Sequence, residues 1–242
     1  MMLSCKKDRS NPIDTASINL SFRAEYDREP LVINQAVYEY QGNPIRFSKV
    51  NFYIANIVAI NDDGETELSE IQFIDLSKTH NNSADAREGT VMEFSRVPVG
   101  TYDSFKFGIG VPSELNKTTP SEYATSHPLG TDNGGEYWEA WNSYIFAKVE
   151  GQYDQNGDGF DGDDVSFAYH IGTNQFYQTI TWNYNLDLIS DESTDLNFVI
   201  QVDSLFMNRA GERLELQPHD PTDEVDTKFI RDNFVHALKL RI

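Results

Sequence analysis

Residues 137–172 read YWEAWNSYIFAKVEGQYDQNGDGFDGDDVSFAYHIG. The apolar-rich run from Ser143 to Val149 reads as a strand. An acidic, glycine-rich turn follows, and Val165 to Ile171 read as a second strand. The same signature recurs elsewhere in the chain. Ile18, Leu20, Phe22 and Ala24 alternate with polar residues, as do Val50, Phe52 and Ile54, and Phe105, Phe107 and Ile109. Such alternation buries one face of a strand. Further strands are expected at residues 30–33, 36–40, 71–76, 91–97, 176–186 and 196–202, with turns at Gly42 and at Asn61-Asp62-Asp63-Gly64. His80 to Ser83 and residues 112–136 read as polar loops, the second long enough to be functional or mobile. Val225, Phe229, Ile230 and Phe234 have helical spacing with Asp223 as a cap, and Leu238, Leu240 and Ile242 alternate as a closing strand. The fold class is therefore all-β: an immunoglobulin-like antiparallel β-sandwich with long loops and one short helix near the C-terminus.

The chain has 242 residues, enough to bury the core of one domain. Its formal charge is −20, from 39 acidic and 19 basic residues. That balance argues against a nucleic-acid partner, because phosphate binding needs lysine and arginine to displace counterions. Cys5 is the one cysteine, so no intrachain disulfide forms. Leu3-Ser4-Cys5 followed by the polar residues 6–15 looks like the end of a lipoprotein signal, with a lipidated Cys5. Residues 1–16 are accordingly expected to be signal remnant and tether, and residues 17–242 the folded domain. The expected location is the cell envelope, anchored to the outer membrane on its periplasmic or surface face. No run of 18 apolar residues is present.

The turn between the two strands carries cation chemistry. Asp154, Asn156 and Asp158 place oxygen ligands at positions 1, 3 and 5 of a calcium loop, Gly159 supplies the sharp turn at 6, and the carbonyl of Phe160 stands at 7. The helical calcium loop places a glutamate at position 12, where this chain has Val165, so Asp163 or Asp164 is expected to close a tighter loop. Calcium there would be structural.

Several segments then occur in a familiar order. These are residues 30–33 (PLVI), 50–57 (VNFYIANI), 98–102 (PVGTY), 107–111 (FGIGV) and 127–129 (HPL). Residues 137–144 (YWEAWNSY), 149–151 (VEG), 169–172 (YHIG), 200–206 (IQVDSLF) and 232–234 (DNF) complete the series. Over most of residues 17–242 the chain resembles the MbnP-like family of bacterial β-sandwich proteins. The resemblance implies an exported, often lipidated protein. Some members bind copper through a tryptophan oxidised to kynurenine, an oxidation attributed to a partner resembling di-haem peroxidases. Carried onto this sequence, it points to copper binding by His127, His170, Trp138 and Trp141. The family's Trp-x-His spacing is absent here, since Trp138, Trp141 and Trp182 are followed by Glu139-Ala140, Asn142-Ser143 and Asn183-Tyr184. Trp138 and Trp141 are expected to share one face of a short helical turn. His80, His219 and His236 receive no role.

No nucleophile elbow, phosphate loop, zinc motif or ordered catalytic triad occurs, so the chain is not expected to be an enzyme. The leading expectation is a cell-envelope lipoprotein that binds metal. The alternative is a surface module in which Tyr123, Tyr137, Trp138 and Trp141 stack on a glycan or meet a protein partner.

Overall fold

The computed structural model describes residues 14–160, 162–218, 220 and 224–241. The expected Cys5 anchor, His219, the Asp223 cap and Ile242 lie outside them, as does most of the expected tether; its last residues, Thr15 and Ala16, already belong to the first strand, where Ala16 is buried, so the folded domain starts two residues earlier than expected. In chain order the strands are β1 (Thr15–Tyr26), β2 (Glu29–Pro30), β3 (Tyr38–Tyr40), β4 (Asn43–Asn61), β5 (Gly64–Asp75), β6 (Thr90–Pro98) and β7 (Gly100–Ile109). They continue with β8 (Tyr137–Trp138), β9 (Ser143–Tyr153), β10 (Val165–Gly172), β11 (Gln178–Leu188), β12 (Ser193–Gln201) and β13 (Leu238–Arg241). Among the described residues two α-helices are present, α1 (Ser83–Glu88) and α2 (Glu224–Ala237). Among the described residues, no helix is long and apolar enough to cross a membrane.

Two sheets face each other, as the alternation predicts. One has the order β13-β12-β1-β2, with β6 also on β1. The other has the order β10-β9-β4-β7-β11, with β3 and β5 on β4 and β8 on β9. Phe22 of β1 stacks on Phe198 of β12 at 5.0 Å and meets Phe52 of β4 and Phe107 of β7 edge-on at 5.8 and 5.9 Å. Phe107 also meets Phe198 at 5.2 Å, and Phe234 of α2 meets Phe52 at 5.4 Å. Each offset or edge-on pair adds about 0.5–1.5 kcal/mol beyond its buried area.

The expected antiparallel sandwich differs in one pairing. β1 and β12 run parallel, with Leu20 beside Leu196, Phe22 beside Phe198 and Ala24 beside Ile200. Period-two alternation reads the same in both directions, so it carries no strand polarity. The polar loop expected around His80 contains α1, capped by Asn82, whose Oδ1 accepts from the N–H groups of Ala84 and Asp85. The late helix is present as expected and buries Ile230, Asn233, Phe234 and Ala237.

His80 has a structural job. It is fully buried, its Nε2 accepts from the Ala24 N–H at 2.9 Å, and its carbonyl accepts from Ile33 N–H. It therefore pins the end of β1 to the segment after β2. Thr79 Oγ1 lies 3.1 Å from Nδ1, which carries the proton when Nε2 accepts. Burial pushes the imidazole pKa down to about 4. An unfolded histidine titrates near ~6.5, so the unfolded chain binds the extra proton first. This contribution is whole above that pH and is lost as pH falls toward 4, to the extent of about 3 kcal/mol. Urea denaturation at pH 7 and pH 4.5 should show a larger loss for the wild type than for His80→Gln.

Candidate functional site

β10 places His170 on the outer face of its sheet, opposite Lys148 of β9. His170 Nε2 lies 2.8 Å from Glu150 Oε1. That hydrogen bond is the largest cause holding the Glu150 carboxyl below its ordinary pKa, and the charges of His170, Lys148 and Lys49 add to it. Lys148 pairs in turn with Glu136, which also lies 3.6 Å from Lys49. These charged groups are half-buried, with the side chains of Lys148 and His170 only 13 % and 14 % exposed. Partial burial strengthens such pairs relative to open surface.

The tryptophans border this network. β8 pairs with the start of β9, and a tight turn closes the hairpin with Trp141 N–H donating to the Trp138 carbonyl at 3.1 Å. The expected helical turn is thus a hairpin turn, which still brings the two indoles together. They stack at 4.6 Å, and Trp138 meets the His170 ring at 6.1 Å. Trp141 lies on the backbone of Gly172, where an added Cβ would come within 2.9 Å of the indole. Sequence reading named His170 and both tryptophans, but not Glu150, Lys148 or Gly172. Glu150, in the quoted strand, is the partner that alternation could have offered, since it shares a face with Lys148.

His127 makes different contacts. Its ring stacks on Tyr123 at 4.4 Å, and its Nδ1 accepts from Leu129 N–H at 3.1 Å. Among the described residues, no group of three or more His, Cys, Asp or Glu side chains is gathered to hold a metal ion. Tyr137 meets Tyr144 edge-on at 5.1 Å. With Tyr123 on His127 and Trp138 on Trp141, each of the four loop aromatics makes a ring pair.

Asn116 holds the long loop in place. It is 6 % exposed; its Nδ2 donates to Ser143 Oγ and Asn174 Oδ1, and its Oδ1 accepts from Tyr144 N–H and Ser143 Oγ. The acidic turn closes on Asp154, which is fully buried. Its Oδ1 accepts from Gly157 N–H at 2.6 Å and its Oδ2 from Gly159 N–H at 2.9 Å. Asn156 Oδ1 accepts from Asp158 N–H at 3.2 Å. Gly157 and Gly159 have φ of +77° and +106°, so the expected glycine turn is present. The Arg46 guanidinium sits 4.2 Å from the Phe160 ring centroid, and Gln155 Nε2 donates to the Asp163 carbonyl.

A family model described as MbnP matches residues 15–223. The chain belongs to the MbnP family. MbnP from Methylosinus trichosporium has a similar structure, with a TM-score of 0.61 over 90 % of this chain and 88 % of that one, at 11 % sequence identity. At that identity the likeness carries the fold alone. Comparison with curated proteins gives no match. Within the MbnP sandwich, Asn116 ties the long loop to β9, the strand that bears the charged network. Replacing Asn116 by Ala should cost about 2–3 kcal/mol, because buried partners lose their hydrogen bonds. Hydrogen exchange in residues 112–142 should rise in the same variant.

Proposed function

We propose that this MbnP-family protein is a cell-envelope metal-binding protein that handles copper at the cluster of His170, Glu150, Trp138 and Trp141. The observation that supports this is the meeting of Trp138, with Trp141 stacked on it, with His170, about 30 positions away in sequence. Two conventional donors are present, an imidazole and a carboxylate in mutual contact. Imidazole suits copper, and indole faces attract a partly desolvated cation. This donor set fits a copper ion of low coordination number; it does not fit a metal needing three imidazole or carboxylate ligands. Copper bound here would be cargo, and the reading is binding and delivery rather than turnover. His170 and Glu150 would supply the donors. Trp138 and Trp141 would screen the site from water, and Lys148 would limit the negative charge beside it.

A di-haem peroxidase-like partner that oxidises a tryptophan belongs to the same proposal, as does a lipid anchor at Cys5. Copper exposure of the purified protein, desalting and elemental mass spectrometry test it. About one equivalent should be retained by the wild type and lost in His170→Ala, with His127→Ala unchanged. Equal retention in all three would overturn the reading. Intact mass of protein made in its native envelope tests for kynurenine at Trp138 or Trp141.

The acidic turn supports a second, structural cation. Asp154 accepts one backbone N–H on each oxygen and keeps a second lone pair on both, so it shapes the turn and would also face the ion. Asn156, Asp158, the Phe160 carbonyl, Asp163 and Asp164 would supply oxygens to calcium, which takes six to eight. Calcium should raise the melting temperature of the wild type by several degrees. The double variant Asp158→Asn, Asp163→Asn should lose that rise while folding normally; an identical rise would remove calcium from these residues.

A further inference from the structure

Immediately after Gly172 the backbone does something a threonine rarely does. Thr173 has φ +67° and ψ 152°, a region populated almost entirely by glycine. Its Oγ1 is buried and receives no hydrogen bond from a protein group. Strain and an unsatisfied hydroxyl thus coincide at one residue, and neither serves stability. The conformation is held from outside. Thr173 N–H donates to Ser143 Oγ at 3.0 Å, and Ser143 is fixed by Asn116, which also grips Asn174. Ser143 is the residue that pairs with Trp138 in the β8–β9 hairpin. On the other side of the bend the bare Gly172 backbone carries Trp141, at a β-bulge where the register of β10 on β9 shifts. Gly172 follows His170 by two residues, so the strand presents imidazole and indole seat in succession.

The geometry points to the Gly172–Thr173 bend as the positioning device of the cluster. It forces the chain away from β9 at the one place that leaves room for Trp141 flat against the strand, and so sets Trp138 against His170. This rests on the reading of that cluster as the functional site. Gly172 and Thr173 touch no ligand in this role; they act through the indoles.

Three variants of the full-length chain test it, Gly172→Ala, Ser143→Ala and Thr173→Gly. All are followed by the exciton couplet of the stacked indoles in circular dichroism, by melting temperature and by copper retained after desalting. Gly172→Ala should abolish the couplet. Ser143→Ala, which removes the acceptor that holds Thr173 N–H, should weaken the couplet and cut retained copper several-fold at temperatures where the variant is fully folded. Thr173→Gly adopts the same φ without strain, so it should melt about 2–4 °C higher with the couplet and retained copper unchanged. An unchanged couplet in Ser143→Ala, or a lower melting temperature in Thr173→Gly, overturns the proposal even if Gly172→Ala fails to fold. Loss of the couplet with copper retention unchanged upholds the positioning role and removes copper from the cluster.

Discussion

The rings of Phe22, Phe198, Phe52 and Phe107 join the two sheets, and the rest of the molecule depends on that joint. Phe22 and Phe198 come from one sheet, Phe52 and Phe107 from the other, and all four are fully buried. Removing one such ring typically costs about 3–5 kcal/mol, because the surrounding side chains collapse only partly into the space. The cluster also fixes register. A one-residue slip of β1 would turn Ile18, Leu20, Phe22 and Ala24 to solvent together. With β4 clamped against β1, the strands it pairs with, β7 on one stretch and β9 on another, have set positions.

That rigidity is what the outer face of β9 and β10 uses. Charged residues there are held at partial burial by the long loop, which Asn116 and the Glu136–Lys148 pair fasten to the sheet. A half-buried carboxylate beside an imidazole needs its neighbours fixed, since an unpaired charge in that setting costs more than one in water. Glu150 meets the condition through His170 at 2.8 Å. The indoles close one side of the same patch. Binding residues on loops carried by a sandwich are a general solution, and here the loop is pinned at both ends to the strand that supplies the polar groups.

Membership of the MbnP family and a shared fold at 11 % identity leave wide room for a site to differ. Function resides in particular residues rather than in a fold. In this chain the indole and imidazole lie far apart in sequence and meet across a hairpin and a bulge. That contact is made without a Trp-x-His run. The acidic turn is a separate construction, closed by Asp154 on two backbone N–H groups and strapped by Asn43 to the β3–β4 turn.

Most of the strands, the late helix and the glycine turn after Asp154 are legible in the residues, whereas Trp138, Trp141 and His170 are candidates through the family resemblance. The legible features are local: alternation, helical spacing and turn residues act within a few positions. The tertiary structure alone decided that β12 lies parallel to β1 and that His80 is a buried pin. It also decided that His127 stacks on Tyr123, and that Glu150 and Gly172 complete the cluster. Each of these depends on register between distant segments, and a repeat of two residues leaves register and direction open. The short helix α1 had a local signal in Asn82 and Asp85, but six residues provide no period long enough to be read.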